Sequence, residues 1–164
     1  MRLLAIDPGP VSSSFVLFDG TAILNKGEAP NEDMRKLVLR YSRSEFTDER
    51  TDACVIEKVA SMGMAVGEEV FETVYWSGIF AEAFCLANVH RVTRGQVKLF
   101  LCGSMRARDA NIRRALIDKF GGRQAIKKGG PLYKVATHQW SALAVAVTYL
   151  GLQKDQYSKE ELAS

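Results

Sequence analysis

The sequence predicts a single α/β domain built on a mixed five-stranded sheet flanked by helices, and three observations predict it. Two short apolar runs, residues 2–6 and 52–56, each stop at a carboxylate, Asp7 and Glu57. Runs of this length stopped by turn or charged residues read as buried strands. Between them lie two more β-rich runs and a helix-period pattern, so the second carboxylate strand returns parallel to the first by a crossover. Late in the chain, residues 137–152 form an almost wholly apolar helix pattern, the mark of an element covered on every side.

The elements follow in order. Residues 12–18 are a second strand, turned at Asp19-Gly20, and 21–27 a third, so strands one to three form an antiparallel meander. Asn31 caps a helix with Met34, Leu37, Val38 and Tyr41 on one face, and 42–51 is a polar loop. The fourth strand, 52–58, is parallel to the first. Met62 and Met64 lie on a glycine-containing loop before one long helix over 67–87. That helix is apolar on more than one side, which either core burial or a dimer interface explains. The last strand is 90–93, so strands one, four and five are parallel. A helix over 97–101 turns at Gly103; an amphipathic helix over 109–120 carries Ile112, Leu116 and Phe120 and ends at Gly121-Gly122. Residues 123–130 read as a mobile basic loop. The helix over 137–152 is capped by Thr137, with His138 in its first turn. Residues 1–152 are expected to make one domain and 153–164 a polar, frayed tail.

At 164 residues and 47% apolar content the chain has the size and composition of one globular domain. It has no apolar run long enough to span a bilayer, and its first residues lack the pattern of a signal peptide. Cys54, Cys85 and Cys102 show no zinc spacing and read as reduced and mostly buried, which suits the cytoplasm. The net charge of +3 is unevenly spread: residues 91–134 hold twelve Lys and Arg against Asp109 and Asp118, a net of +10, leaving −7 for the rest. A concentrated basic segment is the footprint of a polyanionic partner.

Two parallel neighbouring strands bring Asp7 and Glu57 to the same end of the sheet, where open α/β sheets place their ligand sites. With His138 at the start of the buried helix they form a divalent-metal constellation of the kind that holds Mg²⁺ or Mn²⁺. Two such ions about 4 Å apart activate water and stabilise the leaving oxygen of a phosphodiester. Taken alone, Asp7 is also explained as a turn residue and His138 as a structural histidine.

The order of elements resembles the RNase H-like fold, and within it the RuvC family of Holliday junction resolvases. Ile6-Asp7-Pro8-Gly9 with Ser14 looks like that family's first motif, Val55-Ile56-Glu57 like its second, Gln96-Val97-Lys98 through Gly103, Arg106-Ala107 and Asp109 like its basic segment, and the stretch from His138 to Ala146 like its last. The resemblance spans residues 1 to about 150 and is most similar to the compact phage and prophage forms. It implies a homodimer, through the helix over 67–87, that binds a four-way junction and nicks two strands of like polarity. It implies that Asp7 bridges two ions, Glu57 holds the one near the leaving 3′ oxygen, and His138 serves the attacking water's side. Lys98, Arg106, Arg108, Arg113 and Arg114 would contact phosphates, and Met62 and Met64 would either wedge against bases or pack within their loop. One position departs from the family: Ser141 stands where its last motif has an acid. Water then fills that place, or Asp109 substitutes, or the protein binds branched DNA and cuts poorly. The rival readings are a non-catalytic branched-DNA-binding module, an actin-like ATPase lobe and a hybrid-specific RNase H.

Overall fold

The computed structural model describes residues 1–43, 51–60 and 65–163. Among these, five strands form one sheet: β1 (Leu3–Asp7), β2 (Ser12–Phe18), β3 (Ile23–Pro30), β4 (Ala53–Lys58) and β5 (Val89–Thr93), in the order β3-β2-β1-β4-β5. Strands β1, β2 and β3 are the expected antiparallel meander; β1, β4 and β5 run parallel. The helices are α1 (Asn31–Arg43), α2 (Glu68–Phe84), α3 (Arg94–Cys102), α4 (Asp109–Lys119) and α5 (Gln139–Ala163).

Strand alternation divides the core in two. Leu3, Ala5, Val16, Phe18, Ala53 and Val55 face α5, whose residues Ala142 to Val147 are all buried. Leu4, Ile6, Phe15, Leu17, Cys54 and Ile56 face the opposite layer, where Met34 and Val38 of α1 meet Phe80 and Phe84 of α2. The same alternation, carried one step past each apolar run, puts Asp7, Ser14 and Glu57 on the α5 face. Pairing sets Asp7 beside Ser14, Ser14 beside Glu28, and, one residue beyond the Ile6–Ile56 pair, Asp7 next to Glu57.

The turn after Asp7 is fastened from beneath. The Ser13 hydroxyl donates to Asn31 Oδ1 at 2.6 Å and accepts from the Gly9 N–H at 3.1 Å, while Asn31 Nδ2 donates to the Gly9 carbonyl at 3.0 Å. Asn31 thus opens α1 as expected, but its side chain is spent on the Asp7 turn rather than on capping the helix. Any Cβ at Gly9 would stand 2.3 Å from the Ser12 carbonyl oxygen, so the turn requires glycine.

Several boundaries differ from expectation. Helix α5 continues to Ala163 instead of fraying after Leu152, because the polar stretch holds good helix formers and no proline or glycine beyond Gly151. Thr137 is not its cap: it lies at φ +35, and the Gln139 side chain instead accepts from the Ala136 N–H at 3.2 Å. Helix α2 stops at Phe84, where Cys85 takes φ +89. Helix α3 begins at Arg94, three residues early, because Thr93 and Gln96 form a capping box. The basic loop over 123–130 is folded down onto the core: Ala125 and Leu132 are buried, and the Leu132 N–H donates to the Ala125 carbonyl at 2.8 Å. Of the three free cysteines only Cys54 is buried; Cys85 is exposed. No helix among the described residues is long and apolar enough to cross a membrane. Met62 and Met64 lie outside the described residues.

Asn31→Ala removes one buried and one partly buried hydrogen bond and leaves the Ser13 hydroxyl and the Gly9 carbonyl short of a partner. It is expected to lower stability by about 1–3 kcal/mol, measured as a fall in urea midpoint at unchanged slope. An unchanged midpoint would show that the Asp7 turn does not depend on this latch.

Candidate active site

Asp7 and Glu57 end neighbouring parallel strands with side chains only 16% and 13% exposed. Two carboxylates brought together out of water resist ionisation. Glu57 shows the consequence: burial, reinforced by the Asp7 charge, lifts its pKa to about 7 against the pull of Arg94. Burial also raises Asp7, opposed by His138 and Arg94 and by hydrogen bonds from His138 and Ser141. Two buried oxygens here, Glu57 Oε2 and Ser14 Oγ, have no hydrogen-bonding partner.

Of the three expected ligands, Asp7 meets each of the other two, His138 and Glu57, in separate pairs. His138, in the turn that leads into α5, sets Nδ1 3.3 Å from Asp7 Oδ2 and leaves most of its ring in solvent. Thr137, immediately before it, holds a left-handed backbone at φ +35. Ser141 lies one turn further along α5 and also bonds to Asp7.

Arg94 is the site residue that reading the sequence missed; there it was counted only as part of the basic segment. It follows β5, whose Val92 and Thr93 pair with Glu57 and Lys58. Its Nη1 lies 3.7 Å from Glu57 Oε1 and 3.5 Å from Ser141 Oγ, and its Nη2 is ion-paired with Asp109. The signal was present: the rule that places sites at the carboxyl ends of parallel strands applies to β5 as well as to β1 and β4. Asp109 is therefore engaged by Arg94 and is largely exposed, rather than joining Asp7 and Glu57. Glu28 was also missed. It lines the hollow of about 310 Å³ shared by Asp7, Ser14 and His138, and its carboxylate accepts from Ser12 at 2.9 Å.

Three hollows adjoin around these residues. Asp7 and His138 share the first; His138, Ser141 and Arg94 share a second of about 620 Å³; Arg94, Glu57 and Asp7 share a third of about 390 Å³. The second is walled by Trp140 and by Arg113, whose guanidinium lies 4.9 Å from the indole centroid. Of the expected phosphate contacts, Arg113 thus borders the site. Arg106, Arg108 and Arg114 are exposed on the turn after α3 and on α4, Arg114 in a loose pair with Asp118, and Lys98 is half-buried on α3.

The donor chemistry suits a hard divalent cation, and the unpartnered Glu57 Oε2 is an oxygen waiting for a proton or a cation. As they stand, no three His, Cys, Asp or Glu side chains among the described residues form a ready metal cluster. The donors approach in pairs, Asp7 with His138 and Asp7 with Glu57.

No protein-family model and no curated protein matches the sequence. Among solved structures the chain is similar to Thermus thermophilus RuvC, with a TM-score of 0.69 at 18% identity over 95% of this chain and 97% of that one. It is also similar to T. thermophilus RuvC in complex with Holliday junction substrate, with a TM-score of 0.61 at 18% identity over 90% of this chain and 92% of that one. The likeness is one of fold: a mixed five-stranded sheet flanked by helices, the RNase H-like arrangement.

The buried Glu57 makes a pH-dependent prediction for the metal-free protein. Its folded pKa, about 7, lies above its ordinary value of 4.5. Below pH 4.5 both states hold the proton and nothing is lost. As pH rises toward 7 the unfolded chain releases that proton while the folded one keeps it, so stability falls; above 7 the loss is constant. In chelator, Glu57→Gln is expected to be more stable than wild type at pH 8 by roughly 2–3 kcal/mol, with little difference at pH 4.5. Equal differences at both pH values would show that the burden does not come from the Glu57 charge.

Proposed function

We propose that this chain is a divalent-metal-dependent endonuclease that cuts branched DNA, four-way junctions above all, by phosphodiester hydrolysis. The observation that carries the proposal is the meeting of Asp7, Glu57 and His138 at one end of a sheet that has the fold of RuvC. Two buried carboxylates with an unpartnered oxygen form an electrostatic demand for positive charge, which a hydrolase meets with a cation and a nucleic acid carries with it as counterion.

Asp7, Glu57 and His138 are the side chains that would hold Mg²⁺ or Mn²⁺. An ion held there would supply a water of lowered pKa and positive charge for the phosphoryl oxygens. The chain's own residues do the rest. The Ser13–Asn31 latch fixes the turn that aims Asp7, and burial under α5 keeps the carboxylates in a poorly screened setting. Arg113, adjoining the site, and the exposed Arg106, Arg108 and Arg114 form the surface along which phosphates would lie, with Lys98 beside them.

Exposed Phe71, Val74 and Tyr75 on α2 favour a homodimer through that helix, which would present two sites to one junction. Substituting Phe71→Asp together with Tyr75→Glu is expected to shift the protein from dimer to monomer in sedimentation while circular dichroism stays native. A wild-type monomer would remove this interface from the proposal.

The activity test is incubation with a labelled four-way junction and with linear duplex, in Mg²⁺ or Mn²⁺. Paired nicks in the junction are expected, reduced more than about 100-fold by Asp7→Asn with binding retained or tightened. With about six phosphate contacts, log K should fall against log salt with a slope of roughly −5. Tight junction binding without product in either metal would make the protein a binding module. Normal cutting by Asp7→Asn would remove the assigned site.

A further inference from the structure

We propose that the Arg94 guanidinium stands where a second divalent cation would be needed, so that the site takes one divalent ion and faces the scissile phosphate with that ion on one side and Arg94 on the other. The inference rests on the phosphodiester-hydrolase reading and specifies how that site is charged.

Position is the first support. A second ion beside Glu57 would have to stand in the space between Glu57 Oε1 and the side chain at 141. Arg94 Nη1 already lies between those two groups, 3.7 Å from Glu57 Oε1 and 3.5 Å from Ser141 Oγ. Residue chemistry is the second. Ser141 is neutral and a poor ligand for a hard cation, but its hydroxyl is a good acceptor for a guanidinium N–H. A carboxylate at 141 would suit an ion; a serine suits an arginine already in place. Anchoring is the third. Arg94 occupies the first position of α3, the capping box of Thr93 and Gln96 fixes the backbone there, and Asp109 holds Nη2. Its side chain is only 25% exposed. A guanidinium keeps its charge at any working pH, so a divalent ion set against it would be repelled without relief.

The remaining donors fit one ion. Glu57 Oε1 faces Arg94, whereas Oε2 is buried with no partner. Asp7 adjoins Glu57 and is met by His138 Nδ1 at 3.3 Å, so these three side chains are the donors left for an ion once Arg94 holds Glu57 Oε1. The guanidinium fork matches two oxygens of a phosphodiester. In the hydrolysis a water oxygen bonds to phosphorus and the bond from phosphorus to the 3′ oxygen breaks. The water gives up its proton to solvent, and the 3′ oxygen takes one from solvent. Arg94 donates hydrogen bonds to the charge that develops on the departing side and remains protonated throughout.

The test counts cations and measures cutting separately. Bound Mn²⁺ per chain is counted by electron paramagnetic resonance on the full chain: wild type, Arg94→Gln, Ser141→Asp, and the double variant Arg94→Gln/Ser141→Asp. One ion is expected in wild type and two in the double variant. Two ions in wild type, or none, overturn the proposal. Arg94→Gln is expected to cut a four-way junction on the order of 100-fold more slowly at unchanged junction affinity; cutting at the wild-type rate overturns the role given to Arg94. If the double variant fails to fold, the wild-type count still decides, and Arg94→Lys, which keeps the charge and loses the fork, should recover only part of the rate. A wild type that binds one ion yet cuts no DNA would end the nuclease reading while leaving the single-cation site standing.

Discussion

The structure depends on one electrostatic constraint: two carboxylates, Asp7 and Glu57, are buried side by side at the carboxyl ends of adjacent parallel strands. Nothing in the folding of a sheet requires this. Strand alternation would accept an apolar residue at either position and gain core surface by it. Instead the two charges sit on the α5 face, where water is scarce, and the rise of the Glu57 pKa to about 7 measures the strain they impose. A chain that tolerates such a pair needs positive charge at that spot, and the surrounding elements each bring some. Strand β5 leads into Arg94 and α4 sets Arg113 at the rim, while the turn before α5 sets His138 against Asp7.

Holding the charges in register takes as much structure as placing them. Beyond the ladder, the Asp7 turn has one backbone bond, from the Asn31 N–H to the Val11 carbonyl at 3.0 Å. It is fixed further by the triangle of Gly9, Ser13 and Asn31, and Asn31 lies 22 residues away in sequence, at the start of α1. This explains why Asn31 is buried although asparagine usually favours the surface. The helix that packs beneath the sheet is thereby tied to the tip of the strand that carries the first acid. Core packing and site geometry share a residue.

Most of the fold was legible because its signals are local. Apolar runs ending at Asp7 and Glu57, the Asp19-Gly20 turn and the helix period of α1 pointed to the antiparallel meander and to the parallel strands. The meeting of Asp7, Glu57 and His138 was legible too, because strand ends and a helix start are positions that topology alone brings together. What escaped was settled by contacts between distant segments. Arg94 looked like one more basic residue until Ser141, 47 positions later, came to face it. The loop over 123–130 looked mobile because its composition is basic and glycine-rich. Yet Gly130 lets the chain fold back so closely that a Cβ there would stand 2.3 Å from the Ala125 carbonyl oxygen. The end of α5 was misplaced for the opposite reason: helix propensity continues after the apolar stripe runs out, and hydrophobic patterning does not see it.

The basic surface and the acidic site are mechanically joined rather than merely adjacent. Asp109, the first residue of α4, holds Arg94; one turn on, Arg113 of the same helix lies over Trp140 of α5; and Trp140 is followed directly by Ser141, which meets Arg94 again. This closed circuit runs through three helices and returns to the guanidinium beside Glu57. A polyanion laid on α4 competes with Asp109 and Trp140 for the two arginines, since phosphate is a better guanidinium partner than an exposed carboxylate or a ring face. The departure at Ser141 belongs to this circuit. A carboxylate there would draw Arg94 away from Asp109 and uncouple α4, whereas a hydroxyl leaves the arginine shared between the basic helix α4 and the strand that carries the acid.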